Sequence, residues 1–198
     1  MNASNPPASS LDRWIHHPLA PWLAFAWGLA EATWFFIVPD VALTVIGCRS
    51  LRAGSKACAA ALAGALVGGA FMYQAGSAAP EMARAWIGNV PAIRPPLIER
   101  VQAQLNERGL GALLIGPTLG IPYKIYAVES GARAVGLRPF LAVSIPARGI
   151  RFLLSLLLAN GIARLIAPWT KRRPKTELTI LAGFWAVFYT YYFVHFGW

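Results

Sequence analysis

The sequence predicts an all-α integral membrane protein with two oppositely oriented re-entrant hairpins and about three transmembrane helices, arranged as an inverted repeat. Three observations carry that expectation. The chain is 57% hydrophobic and 13% charged, with mean hydropathy +0.49, whereas soluble domains carry about 25% charged residues. Two apolar stretches, residues 18–47 and 109–136, are broken by proline and carry ionisable side chains. Two short basic loops without acids, Arg49–Lys56 and Lys171–Lys175, mark cytoplasmic ends by the positive-inside rule.

Residues 1–17 form a polar leader without the basic, apolar and cleavage regions of a signal peptide, and are expected in the cytoplasm. A short interfacial helix is expected around Trp14. Residues 18–198 make one membrane domain. Its first segment, PLAPWLAFAWGLAEATWFFIVPDVALTVIG (18–47), is apolar enough for a bilayer yet carries Glu31 and Asp40 and is broken by Pro39. A charge at bilayer depth costs roughly 2.5–3.5 kcal/mol on insertion scales, so these carboxylates need partners or a use. Residues 57–76 read as a clean spanning helix, with Gly64 and Gly68 in a small-xxx-small pattern suited to close packing. Residues 77–108 are more polar and rich in proline. PLIERVQAQLNERG predicts an amphipathic connector helix there, after a Pro-rich turn.

The second broken stretch, GLGALLIGPTLGIPYKIYAVESGARAVG (109–136), is interrupted at Gly116-Pro117 and again at Gly120 and Pro122. Lys124, Glu129 and Gly131 follow. Residues 137–166 form a long apolar helix with Pro146, Arg148 and Arg151. The two arginines are three apart and so share a face. Residues 177–198 make the last span, rich in interfacial aromatics. Placing both basic loops in the cytoplasm lets 57–76 exit, 137–166 return and 177–198 exit again. That topology closes only if both broken segments dip in and return to their own side. The pattern is a re-entrant hairpin plus a spanning helix, twice, in opposite orientations, which points to a midplane transport site. A plain hydropathy count would give five ordinary spans.

Glu31, Asp40 and Glu129 face Lys124, Arg148 and Arg151 in the list of charges within apolar stretches. Gathered at one site, they would offset one another and still hold water and a ligand. Arginines three apart can bind phosphate through their planar guanidinium groups. Carboxylates in a half-dry cleft can carry a proton in exchange. Pro39, Gly116, Pro117, Gly120, Pro122 and Gly131 would shape the hairpins around them. The net charge of +10, from 18 Lys+Arg against 8 Asp+Glu, is scattered between apolar spans. It therefore suits anionic headgroups, and no nucleic-acid partner is expected. No cofactor or metal is expected either. Cys48 and Cys58 are too few for a disulfide framework.

Other functions are weakened by what is missing. No His lies between His17 and His195. A membrane phosphatase of the common type, a zinc protease, or a serine nucleophile activated by a base therefore lacks an essential part. A structural or assembly subunit, whose buried charges only guide packing, is the stronger alternative, and self-association through the glycine face is left open.

AEATWFFIVPDVAL, GPTLGIPYKIYAVESGA and the Arg-bearing helix that follows resemble the DedA/VTT family of bacterial integral membrane proteins, in its compact branch. The resemblance covers residues 22–166. Glu31, Pro39 and Asp40 match the first family motif; Pro117, Pro122, Lys124 and Gly131 fit the second, and Arg148 or Arg151 the basic helix. Many members carry an Arg on each side of the Ile-Pro. Here Leu119 or a neighbour stands upstream, and Lys124 is the only downstream cation. The resemblance implies facing re-entrant hairpins in the inner membrane and lipid movement across it. It implies polyprenyl phosphates or phosphatidylethanolamine as substrates, and coupling to protons in some members.

Overall fold

The computed structural model describes residues 10–170 and 176–196, and every regular element among them is helical. The leader through residue 9 and the basic stretch Lys171–Lys175 lie outside the described residues, as do residues 197–198. Helix α1 (Ser10–Ile15) is one short turn with Trp14 exposed. Helix α2 (Ala20–Thr33) ends where the backbone turns through residues 34–39, and Pro39 caps helix α3 (Asp40–Arg49). Helix α4 (Leu51–Ala78) follows at once, because the Ser50 hydroxyl accepts a hydrogen bond from the Ala53 amide at 3.2 Å. That cap satisfies one orphan donor of the first turn. The basic loop expected through Lys56 is thereby absorbed into the start of the helix.

The connector holds more helix than its prolines suggest. Helix α5 (Pro80–Gly88) and helix α6 (Pro95–Arg108) flank a turn. Pro80 and Pro95 each sit in the first helical turn, where the missing N–H costs nothing. Helix α6 buries Leu97, Ile98, Val101 and Leu105 along one side. Helix α7 (Ala112–Ile115) lies between the tight turns Gly109–Gly111 and Gly116–Leu119. Helix α8 (Tyr123–Ala132) is buried from Tyr123 through Gly131. Helix α9 (Leu137–Thr170) continues through Pro146, and helix α10 (Thr176–Phe196) is the last.

Helices α4, α9 and α10 are long and apolar enough to cross a membrane. The 28 residues of α4 extend about 42 Å, and a hydrocarbon core is about 30 Å thick. Leu154, Leu158, Ile162 and Leu165 of α9 and Val187 and Val194 of α10 are exposed. An apolar surface of that extent belongs in lipid, which makes the chain a membrane protein.

Helix α4 is the centre of the packing. A Cβ on Gly64 would fall on the carbonyl of Phe25 in α2, and one on Gly131 of α8 would fall on the carbonyl of Tyr73 in α4. The small-residue face seen in the sequence is therefore a seam inside this chain, with α2 on one part of α4 and α8 on another. On the other side α3 packs against α9, where Gly47 meets Leu156.

Candidate functional site

Each side of the first chain break supplies one carboxylate. Glu31 stands in the last turn of α2, and Asp40 is the first residue of α3. Helix α9 answers both from one face. Arg148 pairs with Glu31, and Arg151 pairs with Asp40. The first pair is fully enclosed, with Arg148 0% and Glu31 3% exposed. Its guanidinium lies between the rings of Tyr123, 5.0 Å away, and Phe152, 4.8 Å away, an electrostatically favourable stack. Arg148 Nε has no hydrogen-bond partner among the described residues. The second oxygen of Asp40 accepts from Ser155 Oγ at 2.6 Å, and Arg151 also donates to the carbonyl of Pro117 at 3.3 Å. Arg151 thus joins α3 to the second chain break.

Lys124, the second residue of α8, is 2% exposed. Its ammonium donates to the carbonyl of Phe35 at 3.0 Å. Among the described residues no carboxylate forms an ion pair with it. Two further groups serve the same irregular turn: Trp27 Nε1 donates to the Ile37 carbonyl at 2.9 Å, and the Val38 amide donates to Tyr189 Oη at 2.9 Å. Side chains from α2, α8 and α10 therefore satisfy backbone that no helix could.

The prolines and glycines singled out in the sequence sit at the breaks. Gly116 and Pro117 open a tight turn that ends at Gly120, whose φ of +87° favours glycine. Pro122 then caps α8. Helix α10 lies across both breaks. Besides the Tyr189 contact, Tyr192 Oη donates to the Gly120 carbonyl at 3.4 Å, and Trp185 Nε1 donates to Thr44 Oγ1 at 3.0 Å. A cavity of about 400 Å³ remains between these parts, lined by Glu31, Asp40, Lys124, Arg151, Pro117, Pro122 and the α10 aromatics.

Glu129 is not at this cavity. Its fully buried carboxylate accepts from Arg84 at 2.7 and 3.1 Å and from Arg133 at 2.7 Å. Hydrogen bonding to Glu129 holds the Arg84 guanidinium above its ordinary range. This cluster ties α8 to the connector. The site therefore gathers five of the six charges expected there, and the sixth braces the far end of α8.

Sequence reasoning missed Ser155, Tyr123 and the tyrosines of α10. Ser155 follows Arg151 by one helical turn, which was the available signal; for the tyrosines, an interfacial aromatic belt was the more ordinary explanation. Among the described residues no group of three or more His, Cys, Asp or Glu is placed to hold a metal ion. No family model, no curated protein and no solved structure matches the chain.

Proposed function

We propose that the protein is a lipid translocase or scramblase of the bacterial inner membrane. It would move a phosphate-bearing lipid of the polyprenyl phosphate or phosphatidylethanolamine type. One observation carries the reading: the cavity cluster holds two carboxylates against three cations, and the surplus cation, Lys124, is buried without an ion pair. An uncompensated charge at bilayer depth is expensive, so its retention argues for an anionic ligand. A headgroup phosphate beside Lys124 and Arg151 would complete the charge balance and accept charge-assisted hydrogen bonds.

The two broken segments serve here as re-entrant hairpins of an inverted repeat. Support comes from α8 lying on α4 through Gly131 as α3 lies on α9 through Gly47, and from side chains that satisfy the first break as bilayer depth requires. As phosphate draws Arg151 away from Asp40, that carboxylate loses its counter-charge and takes up a proton. Release of the lipid restores the pair and expels the proton, which gives the movement a route to proton coupling. The resemblance to the DedA/VTT family points the same way. A purely structural subunit would account for the two completed ion pairs, but it gives Lys124 only the Phe35 carbonyl to satisfy, a task that needs a donor and not a buried charge.

The test is purified protein in proteoliposomes with a fluorescent polyprenyl phosphate and a fluorescent phosphatidylethanolamine, with and without a pH gradient. Wild-type protein is expected to move at least one lipid and Glu31→Gln to fail while remaining folded. Equal movement in both would reject the site, and none from folded wild-type protein would reject the function.

A further inference from the structure

A second cavity adjoins the charged one. It measures about 380 Å³ and lies between α9 and α10, with Leu158 and Ile162 on one wall, Leu181 and Phe184 on the other, Cys48 of α3 at its side, and one charged lining residue, Glu177 in the first turn of α10. Ser155 and Trp185 line both cavities. Ser155 is the residue that binds Asp40, and Trp185 is anchored to Thr44. The charged cavity and the apolar one therefore adjoin, with Ser155 and Trp185 standing at the boundary between them. Both volumes fall in the range of ligand sites, about 300–1,000 Å³. From Ser155 the apolar groove follows α9 to Ile166, about 16 Å of helix.

We infer that this groove holds the hydrocarbon chain of the same lipid whose phosphate occupies the charged cavity. The inference rests on the translocase reading and adds to it a second subsite. The shared boundary decides the occupant. A molecule that fills both spaces must be charged at one end and apolar along the rest, with the change of character at Ser155 and Trp185. A single long chain running from the phosphate satisfies that shape. Helix α10, whose spanning window is only 6% buried, is the outer wall past which such a chain would enter from the bilayer.

Cys48 makes the groove measurable. The chain has two cysteines, Cys48 and Cys58, both free; Cys58→Ser leaves Cys48 as the single thiol. The full-length variant, in a rigid steroid-based detergent, would be labelled with a maleimide in the presence of dodecyl phosphate, butyl phosphate or dodecyl maltoside. At ten times its dissociation constant, dodecyl phosphate is expected to slow labelling about tenfold by mass action. Butyl phosphate, which reaches only the charged cavity, should leave the rate unchanged, and Lys124→Met should remove the protection by dodecyl phosphate. Equal protection by the neutral dodecyl chain, or protection undiminished by Lys124→Met, would mean nonspecific hydrocarbon and overturn the inference. If Cys48 reacts too slowly, Ile162→Cys in a Cys48→Ser, Cys58→Ser background reports on the same groove with the same expectations.

Translocation measured after reconstituting the same proteins into liposomes separates the two claims. Lipid movement with an unprotected groove rejects the subsite alone. Protection without movement supports the subsite and rejects the translocase.

Discussion

Removing one partner of the Glu31–Arg148 pair should be far more damaging than removing both. The pair is enclosed on all sides, and the arginine is held between two aromatic rings. Arg148→Leu strips the buried Glu31 carboxylate, 3% exposed, of its counter-charge, and breaking a buried pair in this way costs about 3–5 kcal/mol. The Glu31→Leu, Arg148→Leu double variant removes both desolvation penalties and fills the space with apolar side chains, so most of that loss should return. Unfolding free energies in mixed micelles, for the two single variants and the double, give the coupling directly. The structure sets a control: Arg151 pairs with Asp40, so a Glu31 and Arg151 cycle should show much weaker coupling. Coupling of Glu31 to Arg151 as strong as to Arg148 would refute the pairing. Single variants as stable as wild type would refute the burial argument. Lipid movement by the stable double variant would favour a site that only fixes packing.

Other expectations follow from particular contacts. Gly131→Ala should cost about 1–3 kcal/mol, because the added Cβ meets the Tyr73 carbonyl and must push α8 off α4. Gly161→Ala in α9, where nothing lies within 4 Å, should instead stabilise by up to about 1 kcal/mol through helix propensity. Unfolding of the two in parallel checks both signs. Glu129→Gln should destabilise more than Arg84→Ala or Arg133→Ala, since the carboxylate serves both guanidinium groups and each arginine serves it only in part. Tyr189→Phe should speed hydrogen exchange at the Val38 amide, which loses its acceptor.

The helical class and the spanning helices were legible because hydropathy reports them directly. The two breaks were legible because Pro39, Pro117 and Pro122 interrupt apolar runs at sites that do end helices. Pro80 misled in the connector: a proline in a first turn is compatible with helix, and only position relative to the cap distinguishes the cases. Helix α9 likewise runs through Pro146. The charges at the cavity could be found by looking for ionisable groups in apolar context. Their pairing could not be found that way, because a shared face on α9 does not say which arginine meets which carboxylate. The position of Glu129 was misjudged for a related reason. Its partner Arg84 lies outside the apolar stretches, and Arg133, near the end of residues 109–136, was passed over although its spacing of four from Glu129 was a local clue. The isolation of Lys124 depends on three chain segments meeting, and no single stretch records it.

The most direct test of the central claim is transbilayer movement of a phosphate-bearing lipid by Lys124→Met in proteoliposomes, measured beside its unfolding stability. Lys124 forms no ion pair among the described residues, so its loss leaves both arginine–carboxylate pairs intact. The account predicts a protein that stays folded, losing at most about 1–3 kcal/mol for the Phe35 carbonyl left without its donor, and whose lipid movement has fallen to the protein-free background. A folded variant that moves the lipid at the wild-type rate would contradict it.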